Sequence, residues 1–181
     1  MSTALLIIHE NVEEMEAITP WDLLRRGGVD LTVASREDSL TVKAKEGATL
    51  TADVSLEEAL KKDYDCIILP GGPGVMQLKD DERVLDAVKS YAAREKLVAA
   101  ICAAPLVLQN AGVLEGKSFT AHFSVQNTLP ALEMNAPVVE DENLVTSQGP
   151  GTAIPFSLKI LERLEGQDAV EQVKKAICLP S

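Results

Sequence analysis

The sequence predicts an α/β fold in which a mostly parallel sheet is covered by helices. Three observations carry this. Apolar, strand-type runs alternate with helical patterns along the chain, which implies parallel pairing through crossovers. Several of those runs contain no polar residue, as strands buried on both faces do. Of 181 residues 46% are hydrophobic but only 3% aromatic, so the core is built from Val, Ile, Leu and Ala. The length suits one domain with a sizeable core, and 1–181 is read as a single domain.

The elements follow in order. Leu5 to Ile8 is a strand. Val12 to Arg26 is helical: Met15, Ile18, Leu23 and Leu24 keep roughly helical spacing, and Gly27-Gly28 stops the helix. Pro20 inside it is expected to bend or split it. Val29 to Ala34 is the second strand. Leu40 to Lys43 and Ala48 to Leu50 read as short edge strands turning at Glu46-Gly47. Ser55 caps a short helix, with Glu58 completing a capping box. Cys66 to Leu69 is a strand ending in Pro70-Gly71-Gly72-Pro73-Gly74. Asp81 to Glu95 is amphipathic, with Val84, Leu85, Val88 and Ala92 on one side. Leu97 to Ile101 is a strand ending at Cys102, and a helix-like run follows from Leu106 to Ala111. Ser118 to Ala121 is a strand running into His122. Val138-Val139 and Leu144 to Thr146 are strands, and Gly151 to Leu164 and Asp168 to Lys175 are helices.

Composition narrows the function. A net charge of −11 with no basic cluster disfavours nucleic acid and anionic membrane as partners. No apolar run approaches the roughly 18 residues of a membrane span. The first residues lack a basic segment and cleavage site and read as a strand rather than a signal peptide. Three unpatterned cysteines suit a reducing compartment, with a cytoplasmic location expected. No spacing suits a metal, and no cofactor is expected.

In parallel sheets ligands bind beyond the carboxyl ends of the strands. Four points of chemical interest fall at such ends: Glu10–Glu16, Gly71–Gly74, Cys102 and His122. Cys102 at a strand-to-helix corner has the arrangement of a nucleophile elbow with sulfur in the serine's place. Helix N-termini lower a cysteine pKa from about 8.5 to roughly 3.5–7.5, so a thiolate is expected. Most free cysteines are instead small buried hydrophobes. Glu13 and Glu14 are accounted for by the helix dipole. Glu16 shares a face with positions 12 and 19–20; if that face is buried, its pKa rises and it can pass a proton to or from sulfur. The backbone N–H groups of Gly71–Gly74 suit an oxyanion pocket, or the segment is a plain turn. His122 is a candidate acid or base and His9 a lesser one. Cys66 reads as core and Cys178 as peripheral. Ser147 to Thr152 reads as a turn and cap.

Glu13-Glu14-Met15-Glu16, Arg25-Arg26-Gly27-Gly28, Leu69-Pro70-Gly71-Gly72, Ala99 to Pro105, His122 and Thr146 to Thr152 together resemble the ThiJ/PfpI family, most closely its deglycase branch. The resemblance spans nearly the whole chain. It implies a flavodoxin-like three-layer sandwich, class I glutamine amidotransferase-like, with helices on both faces of the sheet, usually as a homodimer. It selects Cys102 as nucleophile and redox-sensitive cysteine, Glu16 as its protonated partner and His122 nearby, with Gly72 and Ala103 N–H groups as oxyanion site. The implied activity is cofactor-independent glyoxalase or deglycase chemistry on a small dicarbonyl substrate or a glycated protein, in oxidative and carbonyl stress. A redox-sensing stress protein or chaperone is the first alternative and a cysteine hydrolase the second. Asn11, Pro73 and Glu46 depart from the family pattern.

Overall fold

The computed structural model describes residues 1–129 and 133–180. Seven strands form one sheet in the order β5-β2-β1-β6-β7-β9-β8. They are β1 (Thr3–Ile8), β2 (Asp30–Ser35), β5 (Val54–Ser55), β6 (Cys66–Leu69), β7 (Leu97–Ile101), β8 (Val138–Asp141) and β9 (Leu144–Ser147). All neighbours pair parallel except β8 with β9, so the sheet is mostly parallel with an antiparallel edge. Separate from it, β3 (Thr41–Lys43) and β4 (Thr49–Thr51) form an antiparallel hairpin. These two were expected as edge strands; they pair only with each other.

Strand residues alternate between two apolar clusters, as the two-residue period of a pleated strand requires. Leu5, Ile7, Ile67, Leu69, Val98 and Ala100 face one way, with α2 (Leu56–Ala59), α3 (Val75–Leu78), α4 (Glu82–Ala93) and α5 (Pro105–Asn110). Leu6, Ile8, Cys66, Ile68, Ala99 and Ile101 face the other, with α1 (Glu14–Arg26), α6 (Ala153–Glu165) and α7 (Gln167–Ala176). Neither sheet face is left to water at the centre, which is why β6 and β7 carry no polar residue. The architecture is the flavodoxin-like, class I glutamine amidotransferase-like sandwich.

Two expectations are corrected. α1 runs unbroken through Pro20, beginning at Glu14. Its buried residues are Glu16, Ala17, Pro20, Leu23 and Leu24, whereas Met15 and Ile18 are exposed. The proline ring thus packs inward on the same stripe as Glu16. Ser118 to Ala121 forms no strand among the described residues. Side chains take its backbone instead: Ser118 N–H donates to Asp141 (2.7 Å) and Thr120 N–H to the Thr146 hydroxyl (2.9 Å). β9 already has β7 and β8 as neighbours, so no ladder position beside it is open.

The chain leaves β1 toward β2 on one side and later returns to build β6, β7 and β9 on the other. The crevice between the carboxyl ends of β1 and β6 is therefore a topological switch point, where such sheets bind ligands.

Candidate active site

β7 delivers Cys102. Its φ is +65°, a left-handed conformation that non-glycine residues adopt at a cost. Two bonds hold it there. Cys102 N–H donates to the Ser147 carbonyl on β9 (2.9 Å), and the Cys102 carbonyl accepts from His122 N–H (2.9 Å). The side chain is half-buried, with Gly72 and Ala103 N–H groups directed at its sulfur.

α1 delivers Glu16, fully buried in the first turn of the helix. Glu13 caps that helix by accepting from Glu16 N–H (2.9 Å). Glu16 Oε2 accepts from Gly71 N–H (2.8 Å). Oε1 is buried without a hydrogen-bond partner, while the carboxyl lies within reach of the Cys102 thiol. A lone buried acceptor is costly; a proton on Oε1 would turn it into a donor toward sulfur.

Burial pushes the Glu16 carboxyl up to about 7, against the opposing pull of the thiol. Burial pushes the Cys102 thiol up to about 12, helped by the Glu16 carboxylate and opposed by the Gly72 and Ala103 N–H groups. The direction is opposite to the lowering expected at a helix N-terminus. α5 starts only at Pro105, and two backbone donors do not outweigh burial beside a carboxylate. The two titrations are coupled: the thiol is hydrogen-bonded to Glu16, and the Glu16 charge in turn raises the thiol.

Gly71 was grouped with the oxyanion donors, but its N–H is committed to Glu16, leaving Gly72 and Ala103 toward the sulfur. Its lack of a side chain is essential to the packing: a Cβ there would lie 2.5 Å from both Cys102 Cβ and Glu16 Oε2. Gly72 has a φ of +102°, suited to glycine. Asn11 adopts φ +57°, as asparagine tolerates.

His122 is half-buried after the irregular segment, stacked on exposed Phe123 with ring centroids 4.1 Å apart. Its Nδ1 lies 2.8 Å from the Ser124 hydroxyl and accepts from Ser124 N–H (3.3 Å). An accepting Nδ1 assigns the neutral ring's proton to Nε2. Burial, then Lys45, hold its pKa below the ordinary value. The Ser147–Thr152 corner is a turn and cap: the two hydroxyls lie 2.6 Å apart, and Gly149 N–H donates to the Thr152 hydroxyl (3.1 Å). Cys66 lies in the core and Cys178 is exposed.

A cavity of about 380 Å3 opens over these groups. Glu13, Glu16, Cys102 and His122 line its polar side, while Pro73, Val75 and Met76 give it an apolar wall. Lys45 also lines it, which sequence reasoning missed. Lys45 enters because its N–H donates to the Val12 carbonyl (2.9 Å), docking the hairpin against the start of α1. Glu46 pairs with it at 3.0 Å. Among the described residues no cluster of ligating side chains suits a metal ion.

The fold and the elbow define an α/β sandwich protein built around one cysteine and one buried acid. The chain belongs to the DJ-1/PfpI family, which it matches over residues 2–163. It is 40% identical over 179 residues to Protein DJ-1alpha of Drosophila melanogaster, covering 96% of this chain and 82% of that one. It is 36% identical over 183 residues to the glutathione-independent glyoxalase DJR-1.2 of Caenorhabditis elegans, covering 98% and 96%. The crystal structure of Drosophila melanogaster DJ-1beta superposes with a TM-score of 0.96 at 39% identity, covering both chains fully.

Proposed function

We propose that this chain is a cofactor-independent, cysteine-dependent glyoxalase or deglycase acting on methylglyoxal, glyoxal or early glycation adducts. The observation that carries the reading is the convergence of Cys102, Glu16 and His122 on one cavity, with two backbone donors aimed at the sulfur. The Caenorhabditis elegans relative named as a glutathione-independent glyoxalase supports it.

The chemistry follows from the pair. Glu16 carboxylate takes the thiol proton as sulfur bonds to the aldehyde carbon of a 2-oxoaldehyde. The resulting alkoxide takes that proton back from Glu16, giving a hemithioacetal. Glu16 takes the proton from the former aldehyde carbon while His122 Nε2–H protonates the ketone oxygen, giving an enediol. Glu16 then delivers its proton to the neighbouring carbon as the hydroxyl on the former aldehyde carbon returns a proton to His122 Nε2. The product is a thioester of a 2-hydroxy acid. Water cleaves the carbon–sulfur bond, releasing the acid and the thiol. A carboxyl near 7 suits this two-way traffic, since its proton is held and released with similar ease at neutral pH.

Methylglyoxal turnover without glutathione, followed as lactate formation, tests the reading. Cys102→Ser should abolish it; full turnover in that variant overturns the proposal. A second reading, redox sensing, is favoured by the partnerless Glu16 Oε1, which when protonated would hold a sulfinate at Cys102. Mild peroxide should then add two oxygens to Cys102 before Cys66 or Cys178, as read by mass spectrometry. A cysteine hydrolase fits less well, because a serine rather than a carboxylate orients His122. No helix among the described residues is long and apolar enough to cross a membrane. A cytoplasmic homodimer completes the proposal.

A further inference from the structure

His9 follows β1 and takes no part in the steps above. Its side chain is 1% exposed, its Nδ1 3.0 Å from the Glu10 carbonyl oxygen and its Nε2 3.4 Å from that of Pro70. Gly74 abuts the same ring: a Cβ there would lie 2.3 Å from His9 Nδ1 and 1.9 Å from the Glu10 oxygen. The imidazole is therefore wedged between the end of β1 and both ends of the turn Pro70–Gly74. That turn carries the Gly71 N–H that holds Glu16 and the Gly72 N–H directed at Cys102.

We propose that His9 is a positioning residue for the Cys102–Glu16 pair, fixing the turn from which both groups receive backbone donors. A neutral imidazole has one N–H to offer, so the brace is one hydrogen bond plus close packing against two carbonyls and Gly74. Burial keeps the ring neutral, and the charged groups bearing on it are Glu37 and Arg36, just beyond β2. The pair it positions faces Glu13 at the start of α1 and Lys45 from the hairpin. A tilt of the turn would withdraw a donor from sulfur and from the carboxyl together, as no loss at either site alone would.

The test is the pH profile of Cys102 alkylation by iodoacetamide, followed at that residue by mass spectrometry. His9→Phe keeps a ring and removes both nitrogens. It should raise the midpoint by about one pH unit and slow alkylation about tenfold near neutrality. His9→Gln keeps an N–H donor and should stay near the native midpoint. A merely structural His9 would lower Tm and leave the His9→Phe midpoint unchanged, which overturns the proposal. Should neither variant fold, NMR of the native protein decides. A braced ring shows one slowly exchanging imidazole N–H and no titration near 6.5. A freely titrating ring with a fast-exchanging N–H overturns the brace. The inference rests on the reactive pair of the proposed function, yet its readout is alkylation. A protein that alkylates as expected but turns over no dicarbonyl refutes the glyoxalase reading and leaves His9 in place.

Discussion

The Glu16 carboxyl, held near 7 by burial, links chemistry to stability. The folded protein binds this proton more tightly than the unfolded chain, whose glutamate titrates near 4.5. The penalty for burying the charge is therefore absent below that value and grows as pH rises toward 7. Glu16→Gln should remove this slope. Urea unfolding at about pH 5 and about pH 8 should show the variant gaining roughly 2–3 kcal/mol on the native protein between them, while turnover is lost. Gly71→Ala places a carbon against both reacting groups and should cut turnover by about 100-fold, read as kcat/KM. Cys102 was legible in the sequence because an unbroken apolar strand stops there. Glu16 was one of three neighbouring acids, and only the buried face of its helix separates it from Glu14. The titration state of Cys102 was not legible, since it depends on a carboxylate from another element. Lys45 was equally hidden, because a hairpin must fold over before it reaches the cavity.

Among the elements, α4 and the β3–β4 hairpin show how single carboxylates organise larger pieces. Asp81 caps α4 by accepting from Arg83 N–H (3.1 Å), and it accepts from the Arg36 guanidinium Nε (3.0 Å). Asp81→Ala should cost about 1–2 kcal/mol in chemical denaturation, through the lost cap and the lost ion pairs with Arg36 and Arg83. Glu14 accepts from Glu46 N–H (2.7 Å) and Ala48 N–H (3.3 Å), tying α1 to the hairpin turn. Glu14→Ala should speed amide hydrogen exchange at those two residues and leave the β1 amides unchanged. Helix and strand positions were largely readable, because apolar period and caps are local. The orientation of α1 was not: Met15 and Ile18 have the composition of a core stripe, yet the stripe runs through Glu16, Ala17, Pro20, Leu23 and Leu24. Ser118 to Ala121 has strand composition too, but the place beside β9 was filled from elsewhere in the chain.

At the scale of the whole molecule, the layered architecture was evident from fully apolar strands between amphipathic helices, since both sheet faces must be buried. What no strand pattern reveals is which helix faces remain uncovered. Exposed Ile18 and its neighbour Trp21 on α1 lie with Leu50 along one cleft of about 510 Å3. If the proposed homodimer forms there, the native protein should sediment at twice the 19.4 kDa chain mass, and Ile18→Asp should sediment as a monomer. The sheet itself offers little to a second copy. Its outer strands are β5, with two residues, and β8, whose Glu140 carboxylate is tied to Lys159 and Arg163 of α6. Short and charged borders give a foreign backbone almost no ladder to extend. Assembly by strand addition, and the fibrous aggregation that grows from it, is accordingly suppressed by the way the sheet ends.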